Sequence, residues 1–277
     1  MPNFGYHLAR LWGSLVRRFY RVLLPLIARR RVTSPCSVEL EVFAYSNEET
    51  LPEQVASIRS FLRYVGRPKA FTVVSDGSHS AGSIRLLQHV DSVVSVRQPE
   101  AVPADLPEKF RHYLEVHPTG KQLAVIMALP RGSPALYIDS DVLFFPGAAH
   151  LLAQLRDPGA AAFYLADCQF AGDDRLVRGA GEEQGPVNTG ALLLFRKLDW
   201  SKSISRFLEL TGEPTFFTNQ TMTHLTMHEN GALPLDPAKH VLQLDDQFIF
   251  SDRYADVGLV LRHYVNPVRH KFWTSLI

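Results

Sequence analysis

The chain is short of sulfur, of long apolar runs and of surplus charge. Two cysteines, Cys36 and Cys168, stand among 277 residues, too few for a disulfide framework. No stretch of about 18 uncharged apolar residues occurs, which excludes a polytopic membrane protein. No cleavable leader is visible, so a reducing, cytosolic setting is expected. With 17 glycines and 18 prolines, the composition is neither collagen-like nor of low complexity. Hydrophobic residues at 46% and charged residues at 21% describe a globular body rather than a disordered one. The length allows one large domain or two small ones.

A net charge of +1 conceals a segregation. Residues 1–31 hold seven arginines and no acid, and the first acid is Glu39. Elsewhere 22 bases meet 28 acids, a net of −6. An acidic body argues against a general nucleic-acid binder. The basic part is an appendage. Phe4, Leu8, Leu11, Trp12, Leu15, Phe19, Val22 and Leu26 recur at helical spacing, and Arg10, Arg17, Arg18, Arg21 and Ser14 fall opposite them. This describes a basic amphipathic helix over 1–32, kinked or ended at Pro25. Two readings compete: the helix lies on an anionic membrane surface, or its apolar face packs on the protein's own core.

Residues 33–277 read as a single domain. Strands are expected at Val38–Tyr45, Ala70–Val74, Ser92–Val96, Ala135–Ile138, Ala160–Ala166, Ala191–Phe195 and Leu259–His263. Helices are expected at Leu51–Val65, Ser83–His89, Lys121–Leu129 and from Thr218 to His228, with a loop-rich stretch over Pro99–Pro118. Strands alternating with helices predict an α/β fold with a mixed, mostly parallel sheet flanked by helices.

One segment concentrates chemistry. Leu136-Tyr137-Ile138-Asp139-Ser140-Asp141-Val142-Leu143-Phe144-Phe145 sets two carboxylates beside one serine inside an apolar run. Ionised aspartates are costly there unless paired or metal-bound. In extended backbone, residues i and i+2 point the same way, so both carboxylates can converge. Ligands of open α/β sheets gather at the carboxyl ends of strands, and hard oxygen donors suit Mg²⁺ or Mn²⁺. The bland alternative is a turn carboxylate capping backbone N–H groups. Three further segments carry polar residues: Asn188-Thr189-Gly190 opening a buried strand, Asn219-Gln220 opening a helix, and His263-Tyr264 followed by Arg269, Lys271 and Trp273. Each alone has an ordinary reading as a tight turn, a helix cap, a core histidine or solvated bases.

Taken in order, Ala44-Tyr45-Ser46, Asp76, Lys121, Asp139-Ser140-Asp141, Asn188-Thr189-Gly190, Asn219-Gln220 and His263…Lys271…Trp273 resemble the GT-A fold of nucleotide-sugar glycosyltransferases. The likeness is greatest to the retaining family that includes glycogenin and the bacterial lipopolysaccharide galactosyl- and glucosyltransferases, and it runs from Val38 to Trp273. The resemblance implies that Asp139, Asp141 and His263 hold a divalent metal, Mn²⁺ or Mg²⁺, that grips a diphosphate. It implies that Ala44, Tyr45 and Ser46 line the nucleoside pocket with Asp76 nearby, and that Lys121 and Ser140 face the donor. Asn188, Thr189 and Gly190 would touch donor sugar or acceptor, Gln220 would lie beneath the anomeric carbon, and Lys271 would bind diphosphate. Two departures stand out. The family usually carries Asp-Gln where this chain has Asn219-Gln220. Its late lysine lies six residues after the histidine, a spacing that Arg269 holds here, so either Arg269 or Lys271 could be the phosphate ligand.

The implied activity is metal-dependent, retaining transfer of a sugar from a nucleoside diphosphate sugar, UDP being the usual nucleotide. The acceptor would be a glycan, a lipid-linked glycan or another hydroxyl, met at the cytosolic face of a membrane. Two other readings fit parts of the sequence. One is a nucleotide-sugar-binding protein of the same fold without turnover, favoured by Asn219. The other is a haloacid-dehalogenase-like phosphatase, with Asp139 as nucleophile, Asp141 as acid and Asp245 or Asp246 as a Mg²⁺ ligand.

Overall fold

The computed structural model describes residues 3–156 and 159–276. Strand β1 (Ser37–Ser46) leads into helix α2 (Leu51–Tyr64), which has Pro52 in its first turn, where a missing N–H costs nothing. Strand β2 (Arg67–Ser75) pairs parallel to β1. Ser80 caps helix α3 (Ala81–Gln88) by accepting from the Ser83 amide, and β3 (Val94–Arg97) then pairs parallel to β2. Strand β4 (Ala135–Asp139) returns to the other side of β1, again parallel. Strands β6 (Ala162–Ala166) and β7 (Val187–Leu194) complete the sheet with the short β8 (Leu233–Pro234). Strand β7 runs antiparallel to both β4 and β6. The seven-stranded order is β3-β2-β1-β4-β7-β6-β8, the mixed, mostly parallel sheet expected.

Both faces of this sheet are covered, which is why its strands read as continuous apolar runs. Val42, Ala44, Leu136 and Ile138 join Ile58 and Phe61 in one core. Phe43, Tyr137 and Leu192 turn to the other face and meet Phe110, Tyr113 and Phe207.

A second sheet positions the site. Strand β5 (Val142–Phe144), immediately after Asp141, pairs antiparallel with β10 (Leu261–His263), and β10 also pairs with β9 (His240–Val241). In this register His263 lies opposite Val142, so a residue 122 positions away in sequence arrives beside Asp141.

Several elements differ from the expectation. The stretch expected as loop over Pro99–Pro118 contains helix α4 (Glu108–Val116), anchored by Phe110, Tyr113 and Leu114. Helix α5 spans Pro118–Met127, and α6 (Ala149–Arg156) and α7 (Ser201–Glu209) were not expected. Helix α8 covers Thr218–Glu229, and the chain closes with the short α9 (Lys271–Thr274).

The amino-terminal helix α1 runs Phe4–Arg29 with Pro25 inside it, so Pro25 does not end it. It packs on α2, α3 and α9 through a sector of small side chains, Ala9, Gly13 and Ala28, with Leu24. A Cβ on Gly13 would come 2.5 Å from the His270 carbonyl oxygen, so glycine lets the helix sit flush on the carboxyl-terminal segment. Tyr20 stacks near Trp273 with ring centroids 5.1 Å apart. Arg17, on the face opposite the apolar stripe, bonds the buried Glu53 and the Glu49 carbonyl. The stripe of large apolar residues is exposed, which overturns the reading that it packs on the core. Among the described residues no helix is long and apolar enough to cross a membrane.

Candidate active site

Strand β4 delivers Asp139 at its carboxyl end, the turn through Ser140 brings Asp141 round, and β10 supplies His263. Ligand atoms of the three lie within 4.8 Å of one another. His263 Nε2 is 3.0 Å from Asp141 Oδ1 and 3.6 Å from Asp139 Oδ2. Burial pushes Asp139 up to about 6, with His263 opposing and Asp141 adding to the rise. Burial would raise Asp141 too, but His263 and Arg269 outweigh it and hold that carboxyl at about 2. Burial opposes charging His263, yet the facing carboxylates keep its pKa above the ordinary value. Two hard oxygen donors and an imidazole at this spacing suit a divalent cation such as Mn²⁺ or Mg²⁺.

The orientation of His263 is set from behind. Its Nδ1 is 2.9 Å from Asn188 Oδ1, which also accepts the Gly190 amide at 2.8 Å. That oxygen is therefore an acceptor, His263 Nδ1 donates to it, and Nε2 is the nitrogen aimed at the carboxylates. Pairing of β6 with β7 slips beyond Asn188, and the ring lies directly over Gly190. A Cβ there would come 2.1 Å from His263 Nδ1, so only glycine admits the ring. Thr189, between Asn188 and Gly190 in sequence, is buried.

Two residues that sequence reasoning missed complete the cluster. Asp167, just after β6, accepts from Asn188 Nδ2 at 2.9 Å and from Gln220 Nε2 at 3.3 Å. Gln220 also donates to the Ala171 carbonyl at 2.9 Å. Gln122 of α5 donates to Asp139 Oδ1 at 2.9 Å and takes a bond from Asn219 Nδ2 at 2.9 Å. Tyr137 donates to the same Asp139 oxygen at 3.0 Å. Neither Asp167 nor Gln122 sits in a motif; only tertiary proximity gives them meaning.

The two candidate phosphate bases separate cleanly. Arg269 pairs with Asp141 and stays half exposed, on the wall of the site. Lys271 is fully buried elsewhere: its Nζ donates to the Ile249 and Ser251 carbonyls at 3.0 and 2.6 Å and lies 3.4 Å from Asp246. This corrects the expectation for Lys271, whose ammonium is consumed in holding the 249–251 loop to the carboxyl-terminal turn. Asp246 is likewise occupied by Arg262, at 2.8 Å, and Asp245 by Arg253, at 2.9 Å. Neither joins the Asp139 cluster, so the phosphatase arrangement does not form.

On the nucleoside side, strand alternation turns the Ala44 side chain into one core and sets the half-buried Tyr45 against the core on the opposite face. Burial, with Asp76 nearby, pushes the Tyr45 hydroxyl up to about 12. Asp76 holds its own loop by accepting from the Ser78 amide at 2.8 Å. Ser46 is buried, its hydroxyl 3.4 Å from Thr50. Lys121 is half-buried, and it is Gln122, the next residue of α5, that bonds Asp139. A cavity of about 600 Å³ opens beside Ser140, Asp141 and Arg269, with Asn47 and Thr50 on one wall and Arg10 and Arg17 of α1 on another.

No family profile matches the sequence, and no curated protein matches it in sequence. Solved structures do match in fold. The galactosyltransferase LgtC, solved in complex with donor and acceptor sugar analogs, aligns over 85% of this chain and 94% of its own, with TM-score 0.55 and 15% identity. The bifunctional glycosyltransferase WbbM aligns over 90% of this chain and 50% of its own, with TM-score 0.56 and 14% identity. Mouse xyloside xylosyltransferase 1 aligns over 84% and 99%, with TM-score 0.53 and 12% identity. At these identities the likeness is one of fold, and the fold is that of the GT-A glycosyltransferases.

Proposed function

We propose that the chain is a glycosyltransferase that moves a sugar from a nucleoside diphosphate sugar to a hydroxyl acceptor with divalent-metal assistance. The observation that carries this is the convergence of Asp139, Asp141 and His263 at the carboxyl end of β4, beside a cavity on a GT-A fold. Fold alone does not define chemistry; the donor set does. A cation bound by these three residues, Mn²⁺ or Mg²⁺, would supply charge neutralisation for a departing diphosphate.

The chain's own groups supply the rest. Arg269 places a guanidinium at the cavity wall, where it can move from Asp141 to a phosphate oxygen. The Ser140 hydroxyl lines the same wall. Asn188 keeps His263 Nε2 turned toward the carboxylates. Asp167, Asn188 and Gln220 form a hydrogen-bonded group of the kind that orients sugar hydroxyls and holds charge near an anomeric carbon. Uracil, as in UDP-sugars, is the proposed base, beside Tyr45 and Asp76, and retention is the proposed outcome. The two free cysteines accord with work in a reducing compartment.

The deciding experiment is a thermal-shift screen of UDP, GDP, CMP and their sugars with Mn²⁺ and with EDTA. A ligand at 100 times its Kd adds about 2.7 kcal/mol, a readily measured shift. Stabilisation by one nucleotide that EDTA removes is expected. No response to any nucleotide with metal present would overturn the proposal.

A further inference from the structure

Helix α1 shows solvent its apolar side. All eight large residues of the sequence stripe are exposed, from 46% at Trp12 to 78% at Phe4. They lie along a 26-residue helix, about 39 Å long. Near the start of the helix Phe248, Ile249 and Phe250 are exposed as well, and Phe248 meets Tyr6 of α1 with ring centroids 6.0 Å apart. An apolar surface of this extent marks an interaction site.

The charge around it selects the partner. Arg10, Arg18 and Arg21 are exposed on the sector between the apolar stripe and the docked face, and Arg29, Arg30 and Arg31 follow at the helix end. Residues 1–38 contain no acid. A second copy meeting this face through its own α1 would bring arginines against arginines with no carboxylate between them. An anionic lipid surface satisfies both the apolar stripe and the basic edge.

We propose that α1 docks the protein on an anionic bilayer by its outward face, independently of the catalytic reading.

Trp12 provides the test. The other two tryptophans, Trp200 and Trp273, are 7% and 2% exposed, so a change in emission on adding vesicles reports Trp12. The full chain is mixed with phosphatidylcholine vesicles, with and without phosphatidylglycerol. A blue shift and co-sedimentation confined to the anionic vesicles are expected. Leu15→Ser with Phe19→Ser alters only exposed side chains and should weaken partitioning about a hundredfold, with circular dichroism and nucleotide response unchanged. Absence of binding to anionic vesicles, or equal binding to neutral ones, would overturn the proposal. So would a stable lipid-free dimer that the double variant dissociates, which would assign the face to a second copy.

Discussion

Lys271 and Arg269 stand two residues apart, and the structure gives them opposite duties, so exchanging each for methionine separates folding from binding. In Lys271→Met the Asp246 carboxylate keeps Arg262, and the loss falls on the part-buried bonds from the ammonium to the Ile249 and Ser251 carbonyls. A hydrogen bond to a charged group contributes about 1.5–3 kcal/mol, so about 3 kcal/mol for the two together is a moderate expectation. For a chain of this size that lowers Tm by roughly 6–12 °C. The UDP-and-Mn²⁺ stabilisation of the folded protein should survive, because Nζ faces none of the site. Arg269→Met should do the reverse. Its side chain is 51% exposed, so stability should change by less than about 1 kcal/mol, while the nucleotide-dependent shift collapses. Differential scanning fluorimetry with and without UDP and Mn²⁺ measures both quantities on one sample. A Lys271→Met protein as stable as its parent but blind to nucleotide would refute this division of labour.

Two further outcomes follow from the same geometry. Asn188→Ala removes the acceptor that turns His263 Nε2 forward, and should weaken Mn²⁺ binding by about 10–100-fold in calorimetric titration with the fold retained. His240 is buried with its Nδ1 on the Asp236 carbonyl at 3.0 Å, and burial pushes its pKa from 6.5 down to about 4. The unfolded chain therefore takes up this proton first as pH falls. Stability should decline from about pH 6.5 to 4, by at most about 3 kcal/mol over that window. Urea unfolding should show a flatter pH dependence in His240→Gln, and an unaltered slope would exclude His240 as the source.

Much of this arrangement is legible in one dimension, for a physical reason. An apolar strand that ends in Asp139-Ser140-Asp141 announces its function because buried carboxylates are expensive, and the alternation of β1, β2 and β4 with their helices follows from periodicity. What was illegible depended on contacts between distant segments. Helix α4 hid because Pro103, Pro107 and Pro118 flank a short, charged segment whose burial rests on three side chains. Lys271 looked like a ligand because nothing in the sequence tells a base that faces a cavity from one that ties carbonyls. Helix α1 left two readings open for a more general reason. Large apolar residues ordinarily mark the packed face, but here Ala9, Gly13 and Ala28 make the contact because close approach to the His270 carbonyl demands small side chains.

Asn219 is the departure that most invites a reading of lost activity, and its surroundings argue otherwise. Its Nδ2 donates to Gln122 Oε1, which leaves Gln122 Nε2 free to donate to Asp139 and Tyr137. A carboxylate at 219 has no proton to give. Gln122 would have to turn its amide to donate to that carboxylate, setting its oxygen against Asp139 and removing one of the bonds that hold the buried acid. Asparagine at 219 and glutamine at 122 therefore belong together. A carboxylate still stands beside Gln220, supplied from the segment after β6 as Asp167, which takes the amides of both Gln220 and Asn188. The charge that a sequence comparison finds missing next to Gln220 in the chain is present next to it in space.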